Sequence, residues 1–228
     1  MKYLVVVAHP DDEVLGAGAT IKKLTDAGHT VDLCIMCTEV RARACRPEDA
    51  ELNCDIDANT KLLGIHKRYE GSFPNIEMNV VPHLQLVQFV EKAIVESEPD
   101  VVITHHPSDT NNDHMHTSTA CQAAIRIFQR RKDVKAISEF WFMETLSATE
   151  WSVNTAMNRF APNTYIEIGK ENLELKLKAL ATYRGVMREY PHPRSNEAIT
   201  GLAAYRGGQS GCDYAEAFEC VLRRVTIC

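Results

Sequence analysis

Residues 3 to 13 read YLVVVAHPDDE, and the way this stretch changes character decides the fold. Tyr3 to Val7 is an apolar run of the length expected for a buried strand. It gives way at His9-Pro10 to three consecutive carboxylates, Asp11, Asp12 and Glu13. From Glu13 to Ala27 the pattern reads as a helix, stopped at Gly28, a frequent helix terminator. The chain thus passes from a buried strand through a tight loop into a helix. Like charges this close repel, so a positive species is needed beside Asp11, Asp12 and Glu13.

The same alternation continues downstream. His29–Cys37 reads as a second strand, about Pro47 to Leu63 as a helix closed by Gly64, and residues 83–97 as an amphipathic helix. Pro99–His106 is a further strand. Asp113–Lys132 reads as a helix whose basic end suits the helix dipole. Ile137–Met143 and Asn163–Ile168 are strand-like, and Glu171–Val186 is helical. Strands alternating with helices predict an α/β, Rossmann-like, mostly parallel sheet with helices on both faces. No linker or repeat divides the chain, so one domain over residues 1–228 is expected, with Gly207–Gly211 as a mobile surface loop.

Composition narrows the function. A formal net charge of −6 argues against general nucleic-acid binding. No segment approaches the roughly 20 apolar residues of a membrane span, and the short apolar start runs into acids unlike a signal peptide. Cys34 and Cys37 form a CxxC, but they lie in an apolar strand with no second pair to complete a thiolate site. They read as buried reduced thiols, which places the protein in the cytoplasm.

In open α/β sheets, ligands bind beyond the carboxyl ends of the strands, near the switch in strand order. Two strands end there in polar clusters: His9-Pro10-Asp11-Asp12-Glu13, and His105-His106-Pro107-Ser108-Asp109 followed by Asn111-Asn112-Asp113-His114. Alone, an acidic run is most often a solvated helix start and a His-Pro a turn. Two such clusters at strand ends outweigh that reading. Histidine and carboxylate from one loop with histidine from another make a zinc-type ligand set with an open position, and a divalent cation would offset the carboxylates.

AHPDDE after the first strand, with the later Asp-x-x-x-Asp-His, resembles the LmbE / PIG-L family of metal-dependent N-deacetylases. His192-Pro193-Arg194-Ser195 and Ala215–Glu219 resemble that family's C-terminal half. The resemblance implies a Rossmann-like fold and removal of acetyl groups from N-acetylated sugars or their conjugates, usually with zinc, other divalent ions being chemically acceptable. It implies His9, Asp12 and His114 as metal ligands, Asp11 as the general base that activates water, and Asp113 as a support of the site. Glu13 is left to begin the helix and brace the loop. Many members carry a histidine where this chain has Asn111. An amide can donate to an oxyanion but cannot serve as an acid, so the leaving amine must take its proton from Asp11 or from His192. Relatives often assemble, so a homo-oligomer is open.

His116, two residues from His114, points roughly 200° away on a helix. His105 and His106 point to opposite sides of their strand, so at most one faces the site. Arg41, Arg43 and Arg46 leave the same sheet edge, and with Arg194 they suggest a substrate with an anionic group. Three rivals use the same features. A nucleotide-binding Rossmann protein, enzymatic or not, is disfavoured by the acids ahead of Gly16-Ala17-Gly18 and by Ile21 in place of a third glycine. A metal-dependent binding protein without turnover is disfavoured by the intact set His9, Asp11, Asp12 and His114. A non-haem Fe(II) oxygenase shares the two-histidine, one-carboxylate ligand set, but the extra acid Asp11 favours hydrolysis.

Overall fold

The computed structural model describes residues 1–39, 42, 47–153 and 159–225. Strands β1 (Lys2–Val7), β2 (Thr30–Ile35), β3 (Lys67–Glu70), β4 (Val101–His105) and β5 (Glu139–Met143) pair in parallel. β7 (Ala215–Arg223) runs antiparallel to β5, and β6 (Thr164–Glu167) closes the far edge antiparallel to β7. The strand order is β3-β2-β1-β4-β5-β7-β6. The helices are α1 (Asp12–Asp26), α2 (Asp49–Leu63), α3 (His83–Ser97), α4 (Asn112–Ala124), α5 (Gly169–Thr182) and α6 (Asn196–Ser210).

Alternation along β1 explains why both sheet faces are covered. Tyr3, Val5 and Val7 enter one core with Leu15 of α1, Ile56 of α2, Leu180 of α5 and Ile199 of α6. Leu4, Val6 and Ala8 enter the other with Leu86 and Val90 of α3 and Ala120 and Ala124 of α4. A strand buried on both faces needs apolar residues at every position, which is the YLVVVA pattern. From β1 the chain winds outward through β2 and β3; from β4 it winds the other way through β5. The switch in direction falls between β1 and β4, whose carboxyl ends stand side by side, with Val6 in register with Thr104.

Gly207–Gly211 is not a mobile loop. Gly207 to Ser210 form the last turn of α6, and Gly211 (φ 83°) ends the helix. The chain then folds back so tightly that a Cβ on Gly207 would lie 2.5 Å from the Asp213 carbonyl oxygen; glycine here permits close packing into β7. The helix expected to reach Lys132 ends at Ala124, and Ile127–Gln129 form a separate 3-10 turn. β2 ends at Ile35, so Cys37 escapes strand alternation and shares the α3/α4 core with Cys34. Neither forms a disulfide among the described residues. β3, α6 and β7 were not anticipated.

Candidate active site

The loop after β1 is built around an unusual backbone. Asp11 has φ 100°, a conformation rare outside glycine. It turns the chain from strand to helix within four residues, and its carbonyl accepts from the N–H groups of Val14 (3.1 Å) and Leu15 (2.9 Å). The Asp11 N–H donates to Glu13 Oε2 at 3.1 Å, and Tyr183 Oη donates to Glu13 Oε1 at 2.6 Å. Burial, opposed in part by the Tyr183 bond, raises the Glu13 carboxyl to about 8. Glu13 is therefore an internal brace, tied to residues just past α5.

Asp12, on the first turn of α1, points back over the sheet edge. Its Oδ2 lies 3.2 Å from His114 Nε2 and 3.4 Å from His9 Nδ1. The remaining ring nitrogens meet a second layer of carboxylates: His9 Nε2 is 2.8 Å from Asp113 Oδ2, and His114 Nδ1 is 3.0 Å from Asp109 Oδ2. All five side chains are buried. A carboxylate on the outer nitrogen fixes which nitrogen faces inward, as second-layer groups do in metal sites.

The electrostatics answer the charge problem posed by the sequence. For His114, burial disfavours a charge, but Asp12 and Asp109 outweigh it and raise the pKa to about 10. For His9, burial is likewise outweighed by Asp113 and Asp12, and the pKa is raised. Burial opposes ionisation of Asp12, yet the histidines hold it well below the usual carboxylate range. His105 stacks on His114 at 3.8 Å between centroids; burial and the charge on His114 lower it to about 3. Its Nε2 accepts from the Ala8 N–H at 2.9 Å, so His105 is a neutral wall, not a ligand.

This donor set fits a divalent cation. His9, Asp12 and His114 each offer one ligand atom, all within 4.8 Å of one another. Two nitrogens and a carboxylate suit zinc and neighbouring ions. The overlapping group of His105, Asp109 and His114 fits less well. His105 Nε2 already accepts from Ala8, and Asp109 Oδ2 is held by His114 Nδ1 and the Thr149 hydroxyl (3.0 Å).

Around this cluster the other expected residues take specific places. Asp11 is fully buried, and Arg194 Nη1 lies 3.2 Å from its Oδ2, while Arg194 Nε donates to Ser147 Oγ at 2.7 Å. Arg194, expected on a substrate anion, therefore contacts the expected base. Asn111 is the N-cap of α4: its Oδ1 accepts from the N–H groups of Asp113 (2.9 Å) and His114 (3.4 Å), the usual task of asparagine there. Asp113 holds His9 and also accepts from the Met78 N–H. His192 is exposed, and its Nδ1 accepts from the Arg194 N–H at 3.0 Å; no hydrogen bond among the described residues joins it to Asp11. Arg41, Arg43 and Arg46 lie outside the described residues. Of the histidine pair ending β4, only His105 joins the cluster, since His106 turns to Glu219 (3.3 Å). Sequence reasoning missed the roles of Asp109, Ser147, Thr149 and Tyr183. Asp109 carried a signal, being the first acid of the Asp-x-x-x-Asp-His pattern that ends at a candidate ligand histidine.

Comparison with known proteins adds an independent line. The profile of the PIG-L family, described as GlcNAc-PI de-N-acetylase, matches residues 4–125, more than half of the chain. The diacetylchitobiose deacetylase of Thermococcus kodakarensis is 23% identical over 96% of this chain and 83% of its own length. Among solved structures, the N,N'-diacetylchitobiose deacetylase from Pyrococcus horikoshii superposes with a TM-score of 0.78 at 22% identity, covering 97% of this chain and 84% of that one. The 4-carboxy-2-hydroxymuconate hydratase of Pseudomonas putida KT2440 gives 0.79 at 21% identity, covering 100% and 99%. At such identities the structural likeness establishes the fold, and the fold serves more than one chemistry.

Proposed function

The chain belongs to the PIG-L, or GlcNAc-PI de-N-acetylase, family, and from that premise we propose that it is a zinc-type, metal-dependent hydrolase releasing acetate from an N-acetylated amino sugar or its conjugate. The observation that carries this reading is the convergence of His9, Asp12 and His114 with Asp11 on the adjoining backbone. A divalent cation held by those three would polarise the amide carbonyl and acidify water. Every other part of the chemistry falls to the protein's own groups.

Amide hydrolysis adds water to the acetyl carbon, breaks the C–N bond, and requires a proton on the departing nitrogen. Asp11 is the group to take the proton from water and return it to the amine. Arg194, anchored on Ser147, fixes the orientation of that carboxylate. Asn111 uses its oxygen as the cap of α4, which leaves its amide N–H groups to donate to the developing oxyanion. His192 is less well placed to supply the proton because its ring is engaged with its own loop. The reading includes a cytoplasmic site of action, consistent with free thiols at all six cysteines among the described residues. No helix among those residues is long and apolar enough to cross a membrane.

The test combines metal analysis of the purified protein with acetate release over a panel of N-acetyl sugars and conjugates. The reading requires stoichiometric divalent metal, acetate from at least one member, and loss of turnover in Asp11→Asn with metal content retained. Full activity in Asp11→Asn removes the base assignment. The hydratase likeness is checked on the same sample by following water addition to an unsaturated tricarboxylate.

A further inference from the structure

The loop that follows β5 meets the site through alternate residues. Thr145, Ser147 and Thr149 each send a hydroxyl to a different part of the cluster. Thr145 Oγ1 lies 3.3 Å from His105 Nδ1, and His105 stacks on His114. Ser147 Oγ accepts from Arg194 Nε, and Arg194 reaches Asp11. Thr149 Oγ1 donates to Asp109 Oδ2, the carboxylate that holds His114 Nδ1. The expected base and an expected ligand are thus both steadied from residues 145–149.

This stretch does not take its shape unaided. Ser147 has φ 71°, a left-handed conformation that costs energy in a residue with a Cβ. Two sets of bonds hold it there. Inside, the Thr149 N–H donates to the Thr145 carbonyl at 2.9 Å, and the Thr145 N–H donates to Thr149 Oγ1 at 2.8 Å. Outside, Glu150 Oε1 accepts from the Ser147 N–H at 2.6 Å and Oε2 from the Ala148 N–H at 3.2 Å. Hydrogen bonds to an ionised carboxylate are roughly twice as strong as neutral ones. An exposed glutamate therefore spends both oxygens on the two N–H groups at the strained corner.

We propose that Glu150 is a positioning residue for both halves of the chemistry, a lock that keeps Ser147 on Arg194 and Thr149 on Asp109 at once. The Asp11 half rests on the deacetylase reading; the His114 half concerns metal retention alone. Glu150 acts through the backbone it binds. Without it, Ser147 relaxes toward negative φ, and the hydroxyls of Ser147 and Thr149 move together because they share one turn. Small shifts suffice, since hydrogen bonds weaken steeply outside a narrow range of distance and angle. A misplacement of about 1 Å can cost on the order of 10²-fold in rate.

The test compares Glu150→Ala, Ser147→Ala and Thr149→Val by two readouts. One is zinc affinity from chelator competition; the other is kcat and KM of the metal-loaded enzyme on the best substrate of the panel. Ser147→Ala should lower kcat about tenfold with zinc affinity kept, and Thr149→Val should weaken zinc binding about tenfold. Glu150→Ala should show both losses with KM little changed, and Glu150→Gln, which keeps one acceptor oxygen for the turn, should recover part of each. Should Glu150→Ala fail to fold, both losses must appear, reduced, in Glu150→Gln. Zinc affinity and kcat both unchanged, only one of them changed, or a raised KM at constant kcat overturns the lock. If the wild-type protein binds zinc but releases acetate from no member of the panel, the deacetylase reading fails. Zinc affinity then still decides the lock: weakened in Glu150→Ala it stands, unchanged it falls.

Discussion

Arg194 Nη1 stands 3.2 Å from Asp11 Oδ2, joining groups 183 residues apart in the chain. The carboxylate is fully buried and the arginine side chain 22% exposed, so the pair is shielded on one side only. Arg194→Met should lower kcat on the order of 10–100-fold with little change in KM, because a misdirected base costs rate and not affinity. A raised KM at constant kcat would return Arg194 to substrate binding. Steady-state kinetics on the best substrate of the panel decide it.

Asn111 can be separated into its two halves. Asn111→Ser keeps an oxygen to cap α4 but removes the amide donor, so thermal stability should hold within a few tenths of a kcal/mol, about the spread among good caps. If the amide serves the oxyanion, kcat falls by about 10²–10³. Asn111→Ala should lose that rate and roughly 1 kcal/mol besides. Melting curves beside kinetics separate the effects, and full turnover in Asn111→Ser would remove the oxyanion role.

Asp109 touches no expected substrate atom, yet it holds the outer nitrogen of His114. Asp109→Asn should weaken metal binding about 10–100-fold, the usual effect of losing a second-layer carboxylate. Competition with a chromophoric chelator measures it directly. An unchanged metal affinity would show that the packing of His105 suffices to hold the ring.

Cys121 is fully buried, and burial raises its thiol from 9.0 to about 12. Its folded pKa exceeds its unfolded one, so the neutral thiol's contribution is intact below about pH 9. That contribution is lost as pH rises through about 12. In this window, stability should fall with a slope approaching about 1.4 kcal/mol per pH unit for this thiol. Urea titrations from pH 8 to pH 11 should show a shallower fall in Cys121→Ala, although that variant starts lower for lost packing. Parallel slopes would contradict the assignment.

Lys176 of α5 and Glu216 of β7 form a buried pair 2.6 Å apart inside the hydrogen-bond ladder of α1. Lys176 Nζ donates to the Leu15 carbonyl at 2.8 Å, and Glu216 accepts from the N–H groups of Ala19 (3.2 Å) and Thr20 (2.7 Å). Lys176→Met should destabilise by about 3–5 kcal/mol because it strands a buried carboxylate. Adding Glu216→Leu should recover much of that loss, since no uncompensated charge is then left buried against α1. Additive losses in denaturant titrations would refute the coupling.

How much of this was legible from the residues depends on distance along the chain. The α/β alternation and the convergence of His9, Asp12 and His114 could be read because each follows a strand end, and parallel topology brings such ends together. α6 and β7 could not be read this way. α6 carries glycines at 201, 207 and 208, and β7 alternates small, acidic and aromatic residues in a manner fitted to α1 and β5. The roles of Arg194, Tyr183 and Glu216 depend on the packing of the last third against the first loop, which no local pattern encodes. The capping role of Asn111 was hidden for a different reason: an amide looks the same in sequence whether it caps a helix or faces a substrate.

The grip of Lys176 and Glu216 on α1 also imposes an order in time. A ribosome that has released residues 1 to 125 has delivered every expected ligand, yet Tyr183, Arg194 and Glu216 are still to be synthesised. Until they arrive, the strained turn at Asp11 lacks its brace, and the helix bearing Asp12 lacks its clamp. The converging trio is thus translated well before the groups that brace and clamp it, the last of which arrives with β7.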